Sequence, residues 1–246
     1  MPLKASPDDQ AFLLDLQAID TKLAQLTHKA NSLPQLERLS ALAVDVEATR
    51  LRVVNDRGVL EDAGRELKRV ESDVEVVEAR IKRDTDRIEA SSSVKDVAGL
   101  EAELNSLRKR QSDLEDIEFA VMERIEGLEA AAAETTARYD GLLAEVNTLE
   151  AERDAELATI DAEKGHTSAN RQNVVAKLPA DLVELYERQR GRYGAGASML
   201  RGGVSSASGV KLNESDMAEI RAAAPDDVVL CPDSNAILVR TSESGL

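Results

Sequence analysis

The chain has 246 residues, of which 32% are charged and only 2% are aromatic, and tryptophan is absent. So few aromatic residues argue against a compact globular core of this size, and the dominance of Ala, Glu, Leu and Arg is typical of long helices or coiled coils. The formal net charge of −16 disfavours non-specific contact with nucleic acid or an anionic membrane. Residues 171–246 carry only −1 of it, so a phosphate contact is expected there rather than on the acidic helices.

The expected compartment follows from three features. Cys231 is the single cysteine, which excludes an intramolecular disulfide and is typical of a reducing environment. The first residues, Met1-Pro2-Leu3-Lys4, lack the apolar stretch of a signal peptide. No apolar run approaches the length of a membrane span. These features predict a soluble, cytoplasmic protein.

Apolar residues recur at helical spacing through three long segments. Residues 8–31 form the first predicted helix, with an apolar set of Phe12, Leu13, Leu16, Ile19, Leu23 and Leu26. In residues 35–89, alternating steps of three and four connect fifteen positions from Leu39 to Ile88, twelve of them apolar. Residues 95–165 carry a similar seam from Val97 to Leu149. Repeats sustained over such lengths predict a coiled coil.

The serine run Ser91-Ser92-Ser93 separates the second and third segments. Its side chains compete with the helix by bonding local backbone, so we expect the tip of a hairpin near residues 90–95. A short connection favours antiparallel neighbours, and pairing of two chains into a parallel dimer is the alternative. Gln111 and Glu118 are polar at seam positions, where they either set the register or mark a place where the helices splay.

The last third of the chain changes character. Residues 180–192 are predicted to be helical, and five glycines between Gly191 and Gly203 predict a flexible linker. Residues 204–212 are strand-like, Asn213 is a candidate N-cap for a short helix through Ala223, and residues 228–230 and 236–239 are the predicted arms of a hairpin. The prediction is a mainly α fold with a helical domain over residues 1–180, and a linker with a small β-hairpin domain over 181–246.

Two short turns in this region have the spacing of zinc knuckles. They are Ser205-Ser206-Ala207-Ser208 and Cys231-Pro232-Asp233-Ser234. A zinc ribbon needs four thiolates around one ion, and a neutral serine hydroxyl is a poor ligand. We therefore predict a metal-free domain without a cofactor, in which Cys231 packs as a small apolar residue. A redox or intermolecular disulfide role for Cys231 is the less favoured alternative.

The chain resembles the bacterial C4-type zinc-ribbon coiled-coil proteins, in an actinobacterial branch. The resemblance spans residues 8–246 and is carried by the segments 100–111, Leu185-Tyr186-Glu187-Arg188 and Cys231-Pro232-x-Ser234-x-Ala236-Ile237-Leu238. It implies a long helical hairpin with a ribbon near its base, and an adaptor that contacts RNA or protein partners such as sigma factors and secretion components. The positions that match the family's four zinc ligands are Ser205, Ser208, Cys231 and Ser234. Only Cys231 keeps the cysteine.

Catalytic residues are sparse, since His28 and His166 stand in separate polar contexts and no nucleophile motif or Walker sequence occurs. The best binding candidates are arginines in a stretch without acidic residues, together with one tyrosine: Arg188, Arg190, Arg192, Arg201 and Tyr193. Arginine forks bind phosphates and aromatic rings stack on unpaired bases, a combination typical of RNA contacts. The alternative is that these arginines pair with acidic helix faces.

The sequence thus predicts a non-enzymatic adaptor that binds a protein partner through the hairpin, with RNA as a second candidate partner for the C-terminal region. The alternative function is a coiled-coil scaffold or oligomerisation protein that binds no nucleic acid. Homo-oligomerisation is left open, and no membrane partner is expected.

Overall fold

The computed structural model describes residues 3–246. In chain order, its helices and strands are α1 (Pro7–Asn31), α2 (Pro34–Ala90), α3 (Val94–Val175), α4 (Ala180–Tyr193), β1 (Ala197–Arg201), β2 (Val204–Ser205), α5 (Glu214–Ala222) and β3 (Ile237–Val239). The chain forms two compact units: a terminal unit of Met1–Pro34 with Glu152–Leu246, and a hairpin unit of Gln35–Ala151. The division predicted at residue 180 stays a prediction.

The hairpin unit consists of α2 and the first part of α3, joined at residues 91–93. Contacts across the seam run in opposite directions along the two helices: Arg38 pairs with Glu145 at 2.7 Å, Thr135 bonds Asp56 at 2.9 Å, Arg124 pairs with Glu66, and Gln111 bonds Glu78 at 3.2 Å. Every seam position predicted from Leu39 to Ile88 and from Val97 to Leu149 is buried or half-buried. The predicted antiparallel hairpin, with its tip near residues 90–95, is confirmed.

Four polar residues of the seam make side-chain hydrogen bonds. Thr135 Oγ1 donates to Asp56 Oδ2, Gln111 Nε2 donates to Glu78 Oε1, and buried Asp84 accepts from Arg87 at 3.1 Å. Each bond across the seam favours one alignment of the two helices, because an unpaired polar group in a seam is costly. Gln111 is therefore a register-setting interruption.

The terminal unit contains a three-stranded sheet in the order β2-β1-β3. Strand β1 is antiparallel to β2 and parallel to β3, with Ser198 opposite Leu238. Successive side chains of a strand point to opposite faces, and β3 divides two cores in this way. Ile237 and Val239 pack with Leu13, Leu16 and Leu182 of α1 and α4, whereas Leu238 packs with Leu200, Met217, Ile220 and Cys231.

Arg240 follows β3 and ties the end of α5 to this sheet. Its guanidinium donates to the carbonyl oxygens of Ala223 at 2.9 Å, Ala224 at 2.7 Å and Asp227 at 2.7 Å. The last carbonyls of a helix have no partner within the helix, and a cation there also interacts favourably with the helix dipole. Asn213 caps the other end of α5 as predicted, since its side chain accepts from the Asp216 amide at 2.8 Å.

Several sequence predictions need correction. The flexible linker predicted between Gly191 and Gly203 is wrong for residues 197–201, which form the central strand β1 and are largely buried. The predicted strand over residues 204–212 is reduced to Val204–Ser205. Phe12 is exposed rather than part of the α1 core. Helix α3 continues to Val175 instead of ending near residue 165, because Ile160, Val174 and Val175 pack into the terminal unit.

None of the helices in the described part of the chain combines the length and the hydropathy that a membrane span requires.

Candidate binding site

The turn at Cys231 is closed by backbone hydrogen bonds. The Cys231 amide donates to the Ala236 carbonyl at 2.8 Å, and the Asn235 amide donates to the Cys231 carbonyl at 2.9 Å. Asn235 adopts a left-handed φ of 57°, a conformation that asparagine tolerates better than most residues. The sequence therefore still folds this turn without the thiolates that would close it around an ion.

Hydroxyl groups fill the space between the two turns. Ser198 Oγ and Ser205 Oγ lie 2.7 Å apart, and the Ala207 amide donates to Ser198 Oγ at 3.0 Å. Burial raises the pKa of the Cys231 thiol, but hydrogen bonds from the Ser205 and Ser234 hydroxyls and from turn amides more than offset it, so the pKa lies below its usual value. Ser205, Cys231 and Ser234 thus come together, and Cys231 is fully buried.

The fourth predicted position behaves differently. Ser208 Oγ accepts from the Val210 amide at 3.2 Å, which is a local turn contact. Ser198 instead joins the buried network, from the middle of β1. Ser198 was not predicted to join this network, because the glycines around it indicated a linker, where no side chain is expected to face the two turns.

This donor set does not fit a tetrahedral zinc ion. It offers one thiol and several neutral hydroxyls, and the hydroxyls already bond one another and the turn backbone. Among residues 3–246, no group of three or more His, Cys, Asp or Glu side chains is placed to hold a metal ion. The network instead satisfies buried polar groups at the interface of β1, β2 and the Cys231 turn.

Two of the four arginines predicted as RNA contacts form ion pairs, and the other two do not. Arg190 pairs with Asp20 at 3.1 Å and with Glu187 at 2.8 Å, and Arg201 pairs with Glu243 at 3.0 Å. Arg188 and Arg192 are exposed, lie four residues apart on one face of α4, and have no ion-pair partner among the described residues. Tyr193 follows them and is 51% exposed. The pairing with acidic helix faces that was predicted as the alternative therefore holds for Arg190, whereas the partner of Arg201 lies in the C-terminal turn.

Asp20 is the centre of the network that engages Arg190. Its side chain is only 3% exposed, and its carboxylate accepts from Arg171 Nε at 2.6 Å and from the Tyr186 hydroxyl at 2.8 Å. Burial alone would raise the pKa of Asp20, but the hydrogen bonds from Arg171 and Tyr186 more than offset it, so the pKa is lowered. Burial and the bond to Asp20 raise the pKa of Tyr186.

The same network fixes the start of β1. Gln17 Oε1 accepts from the amides of Gly196 at 2.8 Å and Ala197 at 3.2 Å. A Cβ at Gly196 would lie 2.8 Å from Tyr186 Cζ and closer still to two other ring atoms, so only glycine fits beside this buried ring. Asp20 was missed, although its position four residues after Leu16 places an acid on the buried face of α1.

We predict that Asp20→Asn lowers the free energy of unfolding at neutral pH by about 3 kcal/mol, the low end for a broken buried pair, because Arg171 and Arg190 are partly exposed. The pKa of Asp20 is lowered on folding from its ordinary 3.8, so its contribution is present above that value and is lost as pH falls through the folded-state pKa. The difference in free energy of unfolding between Asp20→Asn and wild type should therefore be smaller in acid.

Urea denaturation near neutral pH and at about pH 3 measures this difference. Asp15→Asn, an exposed carboxylate on the same helix, is the matched control and should leave stability within about 0.5 kcal/mol of wild type. An Asp20→Asn chain as stable as wild type near pH 7 would contradict the proposed role of the carboxylate.

The hydroxyl network leads to a second prediction. Ser205→Ala should lower the free energy of unfolding by about 1–3 kcal/mol, because it removes a hydrogen-bond partner from buried Ser198 and from Cys231. Ser208→Ala should lower the free energy of unfolding by less than about 0.5 kcal/mol, since the bond from the Val210 amide to Ser208 is local and exposed. Thermal unfolding of the wild type and both variants measures these differences, and neither zinc nor EDTA should shift the unfolding midpoint of the wild type. A midpoint that rises with zinc and falls with EDTA would show that the site holds metal.

Comparison with known proteins identifies the hairpin. A family model described as CT398-like coiled coil hairpin domain matches residues 16–194. Uncharacterized protein Rv2229c of Mycobacterium tuberculosis is 34% identical over 239 residues, which is 97% of this chain and 98% of that protein. These matches confirm the coiled-coil part of the resemblance inferred from sequence.

Solved structures agree with this assignment. One from Mycobacterium smegmatis has a TM-score of 0.86 at 34% identity and covers 97% of this chain and 100% of its own. CT398 from Chlamydia trachomatis has a TM-score of 0.67 at 17% identity, covering 95% of this chain and 98% of its own, and at that identity it shows the fold alone. With the family match over residues 16–194, the chain belongs to the CT398-like coiled-coil hairpin domain family.

Proposed function

We propose that the chain is a non-enzymatic adaptor whose hairpin unit docks a protein partner. The observation that carries this proposal is an outer stripe on α2, defined by Val44, Ala48, Leu51 and Val54. Val44, Leu51 and Val54 are 70%, 55% and 59% exposed, although the opposite face of the same helix is buried against α3. Exposed apolar groups on a helix of a charged protein mark an interaction surface when they are contiguous.

The stripe is contiguous by helical geometry. Val44 lies two residues from both Leu42 and Val46 of the seam, a rotation of about 200° that places it on the far side of α2. Ala48, Leu51 and Val54 follow at steps of four, three and three. Charged side chains flank this line within one turn, among them Asp45, Arg52 and the pair of Glu47 with Arg50 at 2.8 Å.

A helix that is apolar on two opposite faces is expected to be packed on both. Inside the hairpin unit α3 covers one face, and a partner helix would cover the other. Among residues 3–246, candidate catalytic side chains do not converge, which supports an adaptor over an enzyme: Cys231 is buried, while His28 and His166 are exposed and lie in different elements. The alternative is a scaffold, in which the outer stripe meets a second copy of the chain.

The C-terminal part is, in this proposal, a metal-free counterpart of a zinc ribbon. The retained Cys231 turn and the left-handed Asn235 support that origin. The hydroxyl network would then replace the metal as the contact that holds the two turns together.

A photo-crosslinking amino acid placed at position 51 tests the docking surface. In the source cells, we expect a discrete adduct whose mass identifies a partner, because Leu51 would be enclosed by that partner. The same substitution at Val94, which is 86% exposed at the hairpin tip, is the control and should give little adduct. An adduct between two 26.6 kDa chains would select the scaffold. Equal yields at positions 51 and 94 would contradict docking through the stripe.

RNA is a second candidate partner, supported by the exposed group of Arg188, Arg192 and Tyr193 on α4. Fluorescence anisotropy of labelled single-stranded RNA over a salt series tests it. If both arginines contact phosphates, Arg188→Ala with Arg192→Ala should weaken binding and reduce the salt slope by roughly 1.4, at about 0.7 per contact. Arg201→Ala is the matched control because Glu243 already pairs with Arg201. No salt-sensitive binding by wild type would reject this candidate.

A further inference from the structure

A second surface of the hairpin unit combines apolar and acidic side chains. Phe119 and Met122 of α3 are 72% and 44% exposed, and their spacing of three residues makes them neighbours on the helix surface. Glu115 lies four residues before Phe119, and Glu126 lies four residues after Met122, so one face carries two apolar groups between two acids. We call these four residues the acidic-apolar face.

The charge around this face is mainly negative. From Gln111 to Glu126 the chain has six acidic residues and one basic residue, Arg124, which pairs with Glu66, and the basic run Arg108-Lys109-Arg110 precedes this segment. Glu115 and Glu126 form no ion pair with any described residue, whereas Glu66 and Glu145 of the same hairpin unit do. These carboxylates therefore keep their charge available to a partner.

The facing part of α2 adds to this charge. Arg124 contacts Glu66 and Gln111 contacts Glu78, so residues 66–78 of α2 lie alongside this part of α3. Between those two contacts stand the acids Glu71, Asp73 and Glu75 and the bases Lys68 and Arg69. The region is acidic on balance on both helices.

We propose that the acidic-apolar face binds a basic amphipathic helix of a protein partner. This inference rests on the proposed adaptor function and gives the chemistry of one partner segment. Phe119 and Met122 would pack against apolar side chains at spacing i and i+3 or i+4 of that helix, and Glu115 and Glu126 would pair with Lys or Arg one turn to either side. Methionine suits such a contact because its unbranched chain adapts to different side chains.

Charge selects this occupant over the others. A second copy of the chain would bring a net charge of −16 against the same acidic face. Anionic lipid and nucleic acid would be repelled for the same reason. A basic helix gains from both parts of the surface: burial of the two apolar side chains and attraction that steers its approach.

Binding of a synthetic peptide to the full chain tests the proposal by fluorescence anisotropy. The probe is an amphipathic Leu-Lys-Ala peptide of about 18 residues, or five helical turns. The comparison peptide has the same composition in scrambled order, with the same charge but no apolar face. We expect the amphipathic peptide to bind in a salt-sensitive way and at least about tenfold more tightly than the scrambled one, since tenfold corresponds to burial of less than one apolar side chain.

Variants separate the two parts of the surface. Phe119→Ser with Met122→Ser should weaken peptide binding about tenfold or more. Glu115→Gln with Glu126→Gln should weaken it at low salt and flatten the salt dependence. Ile117→Ser is the matched control, because Ile117 is as exposed as Met122 and lies on the same helix but on the flank where Arg124 pairs with Glu66. It should leave binding within about twofold of wild type.

Three results would overturn the inference: equal affinity for the scrambled peptide, unchanged affinity after the Phe119 and Met122 substitutions, or an equal loss with Ile117→Ser. Self-association in sedimentation that Phe119→Ser with Met122→Ser abolishes would also overturn it, by assigning the face to a second copy. Circular dichroism of each variant confirms the helix content. None of these outcomes depends on position 51, so failure of the outer stripe and failure of the acidic-apolar face are distinguishable.

Discussion

A carboxylate with almost no access to water must be surrounded by donors, and this requirement organises the terminal unit around Asp20. Its partners come from separate elements: Arg171 from α3, Tyr186 and Arg190 from α4. Removing any one would leave a buried charge less well paired, so the three helices are held in one arrangement. Tyr186 then fits against Gly196, and Gln17 binds the first amides of β1. The ionic network therefore also fixes the start of β1, through Tyr186 and Gln17.

The hairpin unit follows a simpler rule. Neither α2 nor α3 can bury its apolar seam alone, and the short serine turn brings the two together as antiparallel neighbours. Polar bonds such as Thr135 to Asp56 select one register within that seam. Once the seam is satisfied, the remaining exposed apolar groups stand out because the rest of the surface is charged. Two groups of them, the outer stripe of α2 and the acidic-apolar face of α3, are the basis for the docking proposals.

The C-terminal part of the chain is stabilised by hydrogen bonds and apolar packing. Backbone hydrogen bonds close the Cys231 turn, the Ser205 and Ser234 hydroxyls bond the Cys231 thiol, and Ser198 bonds Ser205. Apolar packing on both faces of β3 stabilises the same region. Hydrogen bonds from the Arg240 guanidinium to carbonyls at the end of α5 add to this. Hydrogen bonding and burial act here in a place where a ribbon with four thiolates would depend on metal coordination.

Helical periodicity alone determined the elements of the hairpin unit. Long seams at steps of three and four identify every buried position from Leu39 to Leu149, because a helix shows its packing face directly in its sequence. The Asn213 cap, the Cys231 turn and the match of Ser205, Cys231 and Ser234 are local features, and they were also evident. Only the tertiary structure decided which side chains meet from distant parts of the chain. Because glycines flank β1, the sequence did not indicate that it is the central strand. Ser198 bonds Ser205 from the middle of that strand. Asp20 pairs with Arg190, which is 170 residues away in sequence. Such contacts depend on long-range packing, which a local pattern of residues does not encode.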